Sequence, residues 1–264
     1  MFIRLLITLR LKDGIERSVS SGLYPQVDLE NIGKTSIHLA TLNEELWVEP
    51  TLRSIIEQEL YQQYHDSGII ELVLADSYSE DKTVEIAQPY VDRVLMVGKG
   101  KLTARREAIE QSEDADIIVS VDSGDIYPKG YLNLLLRHFS HPEVVAVSGS
   151  KLLKGRDKPV YYKAGIIWMN YLVTNHLWGD AMAMRRDAFL ACGGWDESVA
   201  QQDIKKLWVE EEVNLYRRMS EVGKVINDKE AVAYDMRTRF SCGGVYESEE
   251  MRRYCEEVEK GKRF

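Results

Sequence analysis

From residue 36 onward the chain alternates between two patterns. Short runs are apolar at nearly every position: IHLA at 37–40, IIELVLA at 69–75, VLMV at 94–97, IIVSV at 117–121 and VVAVS at 144–148. Runs of this length, bounded by polar turns, predict strands covered on both faces. Between them apolar residues recur every three or four places. Pro50 opens a helix with Leu52, Ile55, Ile56 and Leu60 on one face. Residues 83–87 predict a short helix and 103–111 a longer one. Leu132, Leu135, Leu136 and Phe139 mark another apolar face. Strands alternating with helices from 36 to 148 predict an α/β fold, a mainly parallel sheet with helices on both faces.

Beyond residue 150 the alternation loosens. Residues 151–159 are polar and read as a loop, and the aromatic-rich stretch 161–178 fits no single pattern. A short helix at 186–191 is stopped by Gly193 and Gly194. A longer one at 209–222 carries Val213, Tyr216, Met219 and Val222 and ends at Gly223. Short strands are expected at 225–226 and 231–234. Residues 1–34, punctuated by Asp13-Gly14, Gly22, Pro25 and Gly33, read as an N-terminal appendage. The expected organisation is thus 1–34, a first half at 35–150, a second half at 151–240 and a charged tail at 241–264.

Composition narrows the function classes. A net charge of −9 over 264 residues argues against general nucleic-acid binding, and 44% hydrophobic residues suffice for a full core. Cys192, Cys242 and Cys255 are odd in number and form no C-x-x-C, which fits a reducing, cytoplasmic compartment. No apolar run reaches the roughly 18 residues of a spanning helix. Residues 1–11 are apolar but broken by Arg4 and Arg10. They read as a packing element rather than a signal peptide, with peripheral contact to a membrane surface as the other reading.

The polar residues that follow the strands are the candidate chemistry, because ligands of open α/β sheets bind beyond the carboxyl ends of the strands. TLNEE follows the first strand, DSYSEDKT the second and VDSGDIYP closes the fourth. Asp122 and Asp125 in the last of these suggest oxygen ligands for a hard divalent ion. The ordered series TSIHLATLNEE, VLADSYSEDKT, GKGKLTARREAI, VDSGDIYP, GGWDES and EEEVNLYRRM resembles family 2 glycosyltransferases of the GT-A fold, over roughly residues 36–239.

The resemblance carries further expectations. The first half would bind a nucleotide-diphosphate sugar, through Ala40, Thr41, Asn43 and Glu44 after the first strand. Asp76 would read the base, within a D-x-x-S-x-D-x-T pattern completed by Ser79, Asp81 and Thr83. Lys101 and Arg105 would approach the diphosphate, with Asp122 and Ser123 beside the donor. The family's metal motif is D-x-D, and here its second acid is Gly124. The resemblance therefore implies Mn2+ or Mg2+ held by Asp125 together with Asp122, Gly124 letting the backbone bend between them. The rival is a site in which Arg and Lys replace the metal, with Arg237 and Arg239 near the phosphates. In the second half, Trp178, Gly179, Asp180 and Trp195 would line the acceptor pocket. Glu211 and Glu212 fall on the family's catalytic acid pair, with Glu212 as the base and repulsion within the run 210–212 raising a pKa.

The implied activity is inverting transfer of a sugar from a nucleotide-diphosphate donor, UDP favoured over GDP, to a hydroxyl of a glycan, lipid-linked or protein acceptor. Two alternatives remain. One is a non-catalytic nucleotide or sugar binder of the same fold. The other is a sugar nucleotidyltransferase, disfavoured because ATLNEEL lacks a Gly-rich basic loop.

Overall fold

The structure is a computed structural model that describes residues 24–153, 176–196, 198 and 210–236. Its first half follows the sequence closely. A helical turn α1 (Leu29–Ile32) leads into β1 (Thr35–Thr41), α2 (Val48–Ile56), α3 (Glu59–His65), β2 (Ile70–Asp76), α4 (Thr83–Ala87), β3 (Arg93–Met96), α5 (Lys101–Glu110) and β4 (Ile117–Asp122). Then come β5 (Asp125–Ile126), α6 (Tyr131–Leu136), β6 (Val144–Leu153), β7 (Ala181–Arg185), α7 (Arg186–Ala191), α8 (Glu210–Val222) and β8 (Lys224–Asp235).

The described strands form one sheet in the order β3-β2-β1-β4-β7-β6-β8-β5. β1, β2, β3 and β4 run parallel to one another, and β6 runs parallel to β8. β7 lies antiparallel between β4 and β6, and β5 antiparallel to β8. Every residue of β2 and β4 is buried, which is why these runs are mostly apolar rather than alternating. The main core joins Ile37, Leu39, Leu72, Leu74, Val119 and Val121 of the sheet to Leu52 and Ile55 of α2 and Leu135 of α6.

Several expectations change. The helix assigned to open at Pro50 starts at Val48, since a proline in the first turn gives up only an N–H that has no partner inside the helix. It breaks before Leu60, because Gln58 is extended and buried. The Gln58 side chain accepts a hydrogen bond from Leu132 N at 2.9 Å and donates to Ser54 O at 3.2 Å, so it serves two other backbone groups. Lys151 and Leu152, expected in a loop, continue β6. The two short strands expected near the end are one, β8. Its polar centre is held by Arg137 and His138 on Asp228, which hides the continuity from a hydropathy reading. β5 and β7 were not anticipated.

Residues 24–34, the described end of the expected appendage, pack on the core through Val27, Leu29 and Ile32. Gly130 begins α6 at φ 76°, and a Cβ there would lie 2.0 Å from Tyr24 Cδ1. Beneath α5, His38 is buried between Ser36 and Ser112, whose hydroxyls lie 3.0 and 3.1 Å from Nε2. Burial, with Arg93 nearby, pushes its imidazole down to about 3, so it is neutral. No helix among the described residues is long and apolar enough to cross a membrane.

Candidate active site

Register brings the polar ends of the strands together. Thr41 pairs with Asp76, Ala40 with Asp122, and Val121 with Ala181, so β1, β2 and β4 finish beside the start of β7. Asp125 pairs with Asp235 across β5 and β8. The two expected halves therefore meet at one edge of the sheet.

The loops after β1 and β2 are laced together. Asp76 is fully buried and accepts from Thr41 Oγ1 (2.9 Å), Ser79 Oγ (2.6 Å) and Ser79 N (2.7 Å). Asn43 N donates to Ser79 Oγ, while Glu80 N donates to Asn43 Oδ1, each at 2.8 Å. Glu44 N donates to Thr83 Oγ1 and Glu45 N to Asp81 Oδ2. Each polar residue of the D-x-x-S-x-D-x-T pattern thus has a structural task here. Asp76, expected to read a base, has three of its roughly four acceptor positions engaged within the chain. Asn43 and Tyr78 adopt left-handed backbone at φ 55° and 61°, and Tyr78 stands 57% exposed at the rim. Ala40 and Thr41 lie in β1 behind this rim.

Lys101 and Arg105 come from the first turns of α5. Arg105 is buried, and its Nη2 donates to Asp122 Oδ1 at 2.5 Å. Its guanidinium lies 6.0 Å from the Trp195 ring. Lys101 Nζ is 3.7 Å from Asp122 Oδ2, on a side chain that is 48% exposed. Of the two cations expected at a diphosphate, Lys101 reaches solvent and Arg105 braces Asp122 from behind.

Gly124 turns the chain between Asp122 and Asp125 at φ 85°, left-handed backbone that suits glycine. Thr51 fixes this turn by accepting from Gly124 N and donating to Asp125 O. Tyr127 Oη donates to Asp180 O at 2.8 Å and accepts from Asp122 N at 3.0 Å, tying the turn to the start of β7. Asp125 is fully buried, and its Oδ2 lies 3.1 Å from Lys151 Nζ. The same ammonium is hydrogen-bonded to Asp180 Oδ2 and lies 3.8 Å from Asp235 Oδ2. The two carboxylates expected to share one metal thus meet different cations, Asp122 on Arg105 and Lys101, Asp125 on Lys151. Among the described residues no three His, Cys, Asp or Glu side chains are placed to hold an ion together. The Oδ2 atoms of Asp125, Asp180 and Asp235 thus converge on an ammonium, where the metal was expected to draw Asp125 and Asp122 together.

On the other side of Asp180, Gly179 N donates to Glu212 Oε1 at 3.0 Å, and Ser120 Oγ donates to Gly179 O. Glu212 is 6% exposed near the start of α8. Burial pushes its carboxyl up to about 7; Asp180 adds to this, while Lys101, the Gly179 N–H and Arg105 pull against it. The carboxylate that adds to the rise is thus Asp180, from across the site. Burial also disfavours the charged Asp180, but Lys151 holds its carboxyl below the usual range. Gly179 has no room for a side chain: a Cβ would lie 2.3 Å from Arg105 Nη1 and 3.4 Å from Glu212 Oε1. Around it, Asp180 Oδ1 and Arg105 Nε and Nη1 are buried without a hydrogen-bond partner among the described residues.

Trp178 and Trp195, expected to line the acceptor pocket, are buried members of the two cores flanking the sheet. Ser123 is buried in the turn, and Glu211 is partly exposed beside Glu212. Arg237 and Arg239 lie outside the described residues. The sequence reading missed Lys151, Asp235 and Tyr127. A strand pattern carried on through VSGSKL was the available signal for Lys151; nothing local marks Tyr127.

A model of the family described as glycosyl transferase family 2 matches residues 36–191. No curated protein matches the chain significantly. Similar solved structures include the mannosyltransferase PcManGT from Pyrobaculum calidifontis, in complex with GDP-Man and Mn2+. It is 19% identical with TM-score 0.57, over 87% of this chain and 63% of that one. Glucosyl-3-phosphoglycerate synthase from Mycobacterium tuberculosis, in complex with Mn2+, UDP and phosphoglyceric acid, is 18% identical with TM-score 0.54, over 83% of this chain and 78% of that one. TarS from S. aureus is 15% identical with TM-score 0.54, over 77% of this chain and 60% of that one. The chain thus spans less than two thirds of the length of two of these three, and the likeness establishes the fold.

Proposed function

Because the chain belongs to glycosyl transferase family 2, we propose that it transfers a sugar from a nucleoside-diphosphate sugar to an acceptor hydroxyl, with inversion at the anomeric carbon and Glu212 as the base. The observation that carries this reading is Glu212 itself. It is a buried carboxyl raised to about 7, bonded to the Gly179 N–H just before β7, beside the end of β4. A base works best with a pKa near the operating pH. The acceptor O–H gives its proton to Glu212. The oxygen lone pair forms the new bond to the anomeric carbon as that carbon's bond to the phosphate oxygen breaks, and the bonding pair leaves on the diphosphate.

The other residues support binding and orientation. Gly179 N holds one oxygen of Glu212, and the absence of a side chain at 179 leaves the Arg105 guanidinium its place beside it. Lys101, half exposed, supplies positive charge for the departing diphosphate. The laced loops around Asn43 and Asp76 form the nucleotide rim. UDP is the favoured donor nucleotide and GDP the alternative; Asp76, fully buried, has one acceptor position left for the imino group of either base. Mn2+, present in two of the similar structures described above, has no step in this scheme.

The test is product analysis. Purified protein is screened with UDP- and GDP-sugars, and the anomeric configuration of the product is read by NMR. Inversion that disappears with Glu212→Gln supports the proposal. Retention, or full turnover by the variant, removes Glu212 from the role. A protein that binds nucleotide but releases none when acceptors are added is a binder of the same fold.

A further inference from the structure

We propose that Lys151 is the resident cation of this site, and that the protein binds a nucleoside diphosphate without a divalent metal ion. The inference rests on the donor reading above for its ligand, but its physical basis is separate.

Three carboxylates from three different parts of the chain meet at one ammonium. Asp125 opens β5, Asp180 precedes β7 and Asp235 ends β8. Lys151 reaches them from β6, where it pairs with Ala233, two residues before Asp235. Its Nζ lies 3.1 Å from Asp125 and 3.8 Å from Asp235, and bonds Asp180 directly. The side chain is only 8% exposed, so it is a fixed part of the wall and not a surface lysine passing by. A divalent ion on Asp125 would sit about 2.0–2.2 Å from a carboxylate oxygen. The ammonium already stands 3.1 Å from Oδ2 of that residue. The two cations would share one small pocket, where a low dielectric makes like charges repel strongly.

The work a metal does in such a site divides here between two lysines. Lys151 offsets one of the three charges carried by Asp125, Asp180 and Asp235 and fixes the positions of their carboxylates. Lys101 stands half exposed next to Asp122, where it meets the phosphates.

The experiment uses the wild-type chain. UDP and GDP are titrated calorimetrically in EDTA and again with Mn2+. The expected result is the same affinity in both buffers. A loss of about tenfold or more in EDTA overturns the proposal. If neither nucleotide binds in either buffer, the donor reading fails, and titration of Mn2+ alone decides the present inference. Mn2+ binding that is lost in Asp125→Asn overturns it, and no Mn2+ binding supports it. Lys151→Ala provides the positive arm: its carboxylates lose their cation, so Mn2+ should raise its melting temperature while leaving the wild type unmoved. Equal response of the two proteins to Mn2+ refutes the assignment. If Lys151→Ala does not fold, the wild-type titrations decide.

Discussion

Replacing Glu212 by Gln should make the protein more stable and less active, and the gain should appear only at high pH. In the folded chain the carboxyl titrates at about 7 instead of the ordinary 4.5. At about 1.36 kcal/mol per pKa unit, ionising it inside the fold costs on the order of 3 kcal/mol. The sign follows from proton uptake. Between 4.5 and 7 the folded protein holds a proton that the unfolded chain has released. Stability from this group is therefore complete below about 4.5 and is lost as pH rises through about 7. Gln keeps the shape and the acceptor oxygen for Gly179 N but never ionises. At pH 8 the variant should melt higher than wild type, with a ceiling on the order of 10 °C for a chain of this size. At pH 4 the two should nearly coincide. Turnover should fall by about 10²–10⁴-fold, and wild-type turnover should climb to a plateau above pH 7. The assay is a series of thermal melts across this range with rates measured on the same samples. Melting curves that keep a constant separation at all pH values would show that the carboxyl is not raised by its surroundings, and the reasoning would fail.

Asp76→Ala should lower both nucleotide affinity, by about 1–3 kcal/mol, and thermal stability, because it leaves Thr41 and Ser79 without their shared acceptor; calorimetry and melting on one preparation separate the two effects, and unchanged stability would refute the lacing. Gly130→Ala should destabilise by at least about 1 kcal/mol in denaturant titration, since left-handed backbone and the Tyr24 ring both oppose a Cβ. His38 is held neutral in the fold, so the stability it contributes is present above about 6.5 and is lost as pH falls toward about 3. His38→Gln should flatten that acid limb in melts from pH 7 to 4, and an unaltered limb counts against the neutral assignment.

How much of this was legible depends on where each contact originates. The parallel strands β1, β2 and β4 announced themselves because both their faces are covered, and the positions of Glu212 and Asp122 came with the ordered motifs. What escaped depends on distant partners. β7 is five residues long and reads as a strand only once β4 and β6 hold it on either side. β8 looks broken because the buried Asp228 is paired with Arg137 and His138, some ninety residues away. Lys151 looks like the polar start of a loop until Asp125, Asp180 and Asp235 are assembled around its ammonium. Gln58 shows the same limit: its amide caps α6 from a helix break that no local propensity signals.

The lacing of the loops after β1 and β2 has a thermodynamic consequence. Backbone N–H groups of Asn43, Glu44 and Glu45 are bonded to side chains of the second loop, and those of Glu80 and Lys82 to side chains of the first. The two loops are one mechanical body, and neither can fold over a guest without carrying the other. A guest landing on this rim finds its seat already ordered. It is spared the cost of about 0.5–1.5 kcal/mol for each side chain that would otherwise have to be immobilised. The ordering was completed when the chain folded, so on the proposed donor reading capture at this edge is a rigid docking in which the entropy lost is chiefly the guest's own.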